Sequence, residues 1–322
     1  MLTTKFIGYT GVLCIALGIA LSLIADHSAA ISSLFRRLSP RAFSSSSAAT
    51  MAAQRGAVYF LSHGGPPTMF QAESEPYKAW QRYGKLVEGA RPRGLVVVSA
   101  HWENDAPTAG VIINEDTTNP LVYDFYGFPP EFYKQQFHSH GDAQLLADIK
   151  TALGKAGVDY STEKRGLDHG VWVPFLVGFE GKTDIPVVQV SLPGDSSPVS
   201  AARLGRALAS LRDEGYGIMG TGQAVHNLRD FMQRRPTTYG KPFLAAVDAA
   251  VKSNTPVDDT INLFRHPLYR QAHPTPEHLL PVVVAAAAAD PATDDVNEIY
   301  VEPEGALGWG MWSWTPKAAA AS

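Results

Sequence analysis

The sequence predicts an α/β fold, a single domain with a central mixed or mostly parallel sheet flanked by helices. Three observations predict it. From Ala57 onward, short β-rich apolar runs alternate with segments of helical periodicity. Several of the runs are apolar throughout, as expected for strands buried on both faces. Hydrophobic residues make up 45% of the 322-residue chain, enough for a sizeable core.

In chain order, AVYFLS (57–62) reads as a strand ending at HGGPPT, and 73–89 as an amphipathic helix. GLVVVSAHW (94–102) reads as a buried strand, and GVIIN (110–114) as another. Residues 140–156 place Leu145, Leu146, Ile149 and Leu153 at helical spacing. PVVQVSL (186–192) is a strand, 198–214 a helix, and YGIMGTG (216–222) a strand running into a Gly turn. Residues 242–252 and 276–289 read as helices, and EIYVEP (298–303) and the Trp-rich stretch 309–314 as edge strands. RGLDHGVW, around His169, reads as a loop. There is no internal repeat.

The formal net charge is −4, and the charged fraction of 18% shows neither a basic surplus for nucleic acid nor an acidic tail. The single cysteine, Cys14, excludes an intrachain disulfide and thiolate catalysis in the globular part. Residues 1–53 are set apart as an apolar and targeting segment, 54–316 form the domain, and 317–322 a frayed tail. Within the first segment, 6–25 is apolar and uncharged, long enough to span a bilayer as a helix. The Arg- and Ser-rich stretch after it, with Arg36, Arg37 and Arg41, has transit-peptide composition. Three outcomes stand open: membrane anchoring or secretion, mitochondrial import, or a cytosolic enzyme starting near Met51.

Ten histidines carry the functional information. A lone histidine is more often a satisfied polar side chain than a ligand, so placement decides. In open α/β sheets ligands bind outside strand ends. His63 directly follows one strand and is backed by Gly-Gly-Pro-Pro, His101 ends another, and His226 follows the strand and turn containing Gly220 and Gly222. Those glycines would let a substrate approach the backbone. His169 and His278 are further candidates, and His273 either shares the site or caps a turn. His138, His140 and His266 read as surface residues, and His27 lies outside the domain. No HExxH or CxxC is present, so spacing alone does not diagnose a metal site.

LSHGGPPTM, VVVSAHWE, VYDFYGFPPEFY, RGLDHGVWVPF, VVQVSLPG, GTGQAVHNLR and HPTPEHLLPVVVAAAAA occur in this order between about residues 57 and 315. With these segments the chain resembles the 4,5-DOPA dioxygenase extradiol-like proteins of the class III, LigB-type extradiol ring-cleavage dioxygenase family. The resemblance implies one divalent metal ion, Zn(II) or Fe(II), in a cleft at a sheet edge. It implies His63, His101 and His278 as metal ligands. His226 falls at the acid/base histidine and is a possible further ligand, and His169 is the substrate-side histidine. The third ligand of the wider superfamily is a carboxylate, whereas here it is His278, with Glu277 beside it. The implied substrates are a catechol, DOPA-like, and dioxygen, with Tyr123, Phe125, Tyr126 and Phe128 as candidate walls of the ring pocket. Two other functions would use the same residues or fold: a zinc-dependent hydrolase or lyase, and a non-enzymatic binding protein.

Overall fold

The fold is that of a computed structural model, which describes residues 54–318. The predicted segments at 6–25 and around Arg36, and the last residues of the tail, lie outside the described residues. Among the described residues, no helix is long and apolar enough to cross a membrane.

Eight strands form one mixed sheet in the order β4-β3-β5-β2-β6-β1-β8-β7. They are β1 (Val58–Ser62), β2 (Leu95–Glu103), β3 (Val111–Asn114), β4 (Tyr160–Glu163), β5 (Val187–Leu192), β6 (Gly217–Gly222), β7 (Asp294–Glu302) and β8 (Trp309–Pro316). The four central strands, β5, β2, β6 and β1, are parallel to their neighbours in that group. They are buried along nearly their whole length, which is why their sequences do not alternate. The Trp-rich β8 is not an edge strand: it lies between β1 and β7, antiparallel to both, and of these two predicted edge strands β7 alone is one. Its side chains are needed on both faces, with Met311 in one core and Trp312 and Trp314 in the other.

The helices are α1 (Glu75–Ala90), α2 (Ala143–Lys155), α3 (His169–Gly178), α4 (Pro198–Ala209), α5 (Leu228–Met232), α6 (Gly240–Val251), α7 (Pro256–Asn262), α8 (Tyr269–Ala272) and α9 (Leu280–Ala288). α1 starts where the Ser74 side chain accepts the Tyr77 N–H, and buries Ala79, Trp80, Tyr83 and Val87 along one stripe. With α3 it covers one face of the sheet. α2, α4, α6 and α9 cover the other.

Two further elements depart from the expectation. His169 begins helix α3 rather than sitting in a loop. That helix is apolar on all sides and contains Pro174, so it shows no amphipathic period. β4, YSTE, is an almost wholly exposed edge strand with no apolar alternation to announce it.

Candidate metal centre

β2, β6 and β1 are adjacent and parallel, so their carboxyl ends open at one edge. His63 follows β1, and its N–H donates to Gly222 O at 2.9 Å, extending the ladder by one bond. His101 lies near the end of β2, where the pairing with β5 shifts register between Val98 and Glu103. Such irregularities re-aim side chains beside functional sites. β6 ends at Gly222, and the turn after it carries His226. Gly220 and Gly222 serve a purpose other than admitting a substrate. A Cβ on Gly222 would stand 2.4 Å from His278 O, and one on Gly220 would stand 2.2 Å from Pro281 O. The glycines admit the chain's own His278–Pro281 segment, and Gln223 N–H then donates to His278 O at 3.0 Å.

The structure brings His63, His101, His278, His169 and His226 together. One ring nitrogen from each of His63, His101 and His278 lies within 4.8 Å of the others. His63 Nε2 and His101 Nε2 face each other at 3.1 Å. The partners on the far side of the rings fix the tautomers. Thr221 Oγ donates its only proton to Gly170 O at 2.6 Å, so at 3.1 Å it must accept from His63 Nδ1–H. Glu277 Oε1 lies 3.0 Å from His278 Nδ1 and accepts its proton. Asp124 Oδ2 lies 3.8 Å from His101 Nδ1, on the side away from His63. Nε2 of His63 and of His278 is thus left with a lone pair, and Asp124 favours the same tautomer for His101.

Burial, then the neighbouring rings, pulls His63 and His278 well below the usual histidine range. Burial and His169 pull His101 down to about 3, against the pull of Asp124. Neutral imidazoles whose second nitrogen is held by a hydroxyl or carboxylate are the usual dress of metal-ligating histidines. Two imidazole nitrogens on one tetrahedral ion would be about 3.3 Å apart. The donor set therefore fits a divalent ion, and an all-imidazole set suits zinc or iron.

Glu277 stands behind His278, where Thr275 Oγ also donates to its Oε1 at 2.8 Å. His226 stacks flat on His278, with ring centroids 3.6 Å apart and planes 9° apart. Burial lowers its pKa to about 4. His169 lies with its ring centroid 4.0 Å from that of His101. Asp124 Oδ1 accepts the His169 backbone N–H at 2.9 Å and lies 2.9 Å from its Nδ1, off the N–H line. Burial pushes the Asp124 pKa up, but the His169 side chain 2.9 Å away, the His169 backbone amide and His101 outweigh this and hold it low.

Among the aromatic candidates, Phe125 is buried edge-on against His169, with centroids 5.8 Å apart. Phe128 stacks on Phe132, and Tyr123 donates its hydroxyl to Gln135 O. Tyr126 is 88% exposed and walls nothing. His273 is fully buried, and its Nε2 donates to Ala224 O at 3.0 Å, two residues before His226. It braces the turn rather than joining the ring cluster. His138 and His140 are exposed, whereas His266 is half-buried and accepts the Leu268 N–H. Sequence reading missed Asp124, Thr221 and Asp168. Each bonds a partner at the site from far along the chain: Asp124 the amide of His169, Thr221 the carbonyl of Gly170 and Asp168 the hydroxyl of Ser99. A surface cavity of about 820 Å³, at the opposite end of β2 and β5 near Arg93 and Pro186, contains no histidine.

Fold and site together define a histidine-lined site, able to hold a metal ion, at the carboxyl ends of parallel strands. The family described as the catalytic LigB subunit of aromatic ring-opening dioxygenase matches residues 57–311, and this chain belongs to that family. It is 34% identical over 240 residues to 4,5-DOPA dioxygenase extradiol of Beta vulgaris, covering 72% of this chain and 86% of that protein. It is 34% identical over 249 residues to a 4,5-DOPA dioxygenase extradiol-like protein of Schizosaccharomyces pombe, covering 70% of this chain and 82% of that protein. The crystal structure of an uncharacterized Escherichia coli K12 protein superimposes with a TM-score of 0.64 at 27% identity, covering 80% of this chain and 99% of that one. The expected α/β fold and the expected class of enzyme, a ring-opening dioxygenase, are both met.

Proposed function

We propose that this enzyme opens the ring of a DOPA-like catechol with dioxygen, at one divalent ion held by Nε2 of His63, His101 and His278. The convergence of those three nitrogens is the observation that carries the proposal. The relatives named as DOPA dioxygenases supply the substrate class. The ion supplies Lewis acidity that lowers the pKa of a catechol hydroxyl and, as Fe(II), the redox capacity that dioxygen chemistry needs. Zn(II) fits the same nitrogens but has no redox chemistry, so Fe(II) is the ion of turnover.

His226 acts as the acid/base group. It stands outside the group of nitrogens formed by His63, His101 and His278, with its ring stacked flat on that of His278. Burial keeps His226 neutral, with a lone pair ready to take the proton of the second hydroxyl and return it during ring opening. His169, held from behind by Asp124, turns its other nitrogen to a substrate oxygen. Phe125 supports His169 and borders the ring.

The test is anaerobic reconstitution with Fe(II) or Zn(II), then oxygen uptake over a panel of catechols. Fe(II) enzyme should consume one dioxygen per catechol and release a ring-opened semialdehyde containing both oxygen atoms. No uptake with any catechol would refute the proposal. His226→Ala should keep its metal and lose about 10²- to 10⁴-fold in turnover. Loss of the metal instead would make His226 a ligand.

A further inference from the structure

Beneath the histidines lies a carboxylate that neither metal binding nor proton transfer uses. Asp168 is fully buried. Its Oδ1 accepts the Ser99 hydroxyl at 2.8 Å, and its Oδ2 accepts from Gln189 Nε2 and, at 3.3 Å, from Arg165 Nη1. Two of these partners go on to the same residue. Ser99 Oγ accepts the His101 N–H at 3.2 Å, and Arg165 Nη2 donates to His101 O at 3.2 Å. Through them, one carboxylate grips both backbone polar groups of His101, while the Arg165 guanidinium lies over the Trp102 ring 4.8 Å from its centroid.

The same residue sets the start of α3. Asp168 O accepts the N–H groups of Val171 and Trp172, each at 3.0 Å. That first turn places Gly170 against the site. A Cβ on Gly170 would stand 2.8 Å from Ser99 Oγ, 2.9 Å from His101 Cδ2 and 2.9 Å from His63 Nδ1. Gly170 O in turn accepts from Thr221, the residue that holds His63 Nδ1. A buried carboxylate is expensive to hold in the fold. Two of its three side-chain partners, Ser99 and Arg165, bond His101 directly.

We infer that Asp168 is a positioning residue of the metal centre: with Ser99, Arg165 and Gly170 it sets the spacing of the His63 and His101 rings. This rests on the proposed ligand set. Partners behind metal ligands typically change metal affinity by about 10- to 100-fold when removed.

The test uses the full chain and Co(II), whose visible bands report ligand geometry. Affinity is measured by chelator competition, with thermal unfolding of each metal-free variant recorded alongside. Ser99→Ala and Asp168→Asn should each weaken Co(II) binding by about 10- to 100-fold and shift the bands. Gly170→Ala should shift the bands further, because its methyl group meets two of the rings. Ile149→Ala, in the buried core of α2, serves as the control and should lower the unfolding temperature without changing the affinity of the folded protein. If Asp168→Asn does not fold, Ser99→Ala and Gly170→Ala decide. Wild-type affinity and bands in Ser99→Ala and Gly170→Ala would overturn the inference. So would a loss of affinity that merely follows the loss of stability, as the control defines it. Failure of the wild-type protein to bind Co(II) would instead refute the proposed ligand set.

Discussion

Two buried polar clusters in this protein obey opposite rules. At the amino end of β1, Arg212 and Asp294 are both fully buried, joined by two hydrogen bonds of 2.7 Å. Arg212 also donates to Gly56 O and Ala288 O, and Asp294 accepts the Asp290 N–H. Each charge has its partner and the cluster is complete in itself. At the carboxyl end of the same strand, the Nδ1 atoms of His63 and His278 are bonded outward while their Nε2 lone pairs face inward. His101 Nε2 lies 3.1 Å from His63 Nε2, and with its proton on Nδ1, toward Asp124, it too presents a lone pair to the cluster. Buried polar groups without partners are costly. A cluster satisfied on its outer side and left open on its inner side is therefore built around something that is not protein.

The contrast is broken most severely at a ligand. His101→Ala should abolish metal retention and oxygen uptake while leaving a folded protein, checked by metal analysis and an oxygen electrode. Asp294→Ala should do the reverse. It leaves Arg212 buried without a counter-charge and should cost about 3–5 kcal/mol in denaturant unfolding, with the metal affinity of the folded protein unchanged. Acid should separate the ends next. Five histidines near the site, His63, His101, His226, His273 and His278, have folded pKa values below the unfolded one. Below about pH 6.5 the unfolded chain takes up protons that the folded metal-free protein refuses. Stability should be full above that pH and fall toward pH 3, by about 1.4 kcal/mol per pH unit for each such histidine. Unfolding of metal-free protein across that range checks it, and a flat profile would contradict the stated burial. The smallest effect is expected at Thr221→Val, which removes the acceptor behind His63 and the donor to Gly170 O and should weaken metal binding by about tenfold, measured by chelator competition.

The open cluster was far more legible in the sequence than its supports. His63, His101 and His226 each follow a β-rich apolar run, and strand ends are where α/β sheets bind ligands. His278 was less exposed to this logic, since it precedes a helix and reaches the site only because Gly220 and Gly222 let its segment lie against β6. Asp124, Asp168 and Thr221 gave no sign, because a hydrogen bond between distant residues leaves no local pattern: Asp124 and His169 are 45 residues apart, Thr221 and Gly170 51, and Ser99 and Asp168 69. The same reason hid the Arg212–Asp294 pair, whose members are 82 residues apart. In the fold, amphipathic α1 and the buried central strands were readable, whereas α3 was not, being apolar on every side. The place of β8 inside the sheet is a matter of pairing with β1, which its Trp-rich sequence does not specify.

The central claim is that three imidazole nitrogens from β1, β2 and the segment before α9 meet on one ion. A crystal structure of metal-loaded protein tests it most directly. It should show one ion per chain bonded to Nε2 of His63, His101 and His278 at about 2.0–2.2 Å, with His226 outside bonding distance. An ion bound elsewhere, or these three rings turned away from an ion that is present, would contradict the account.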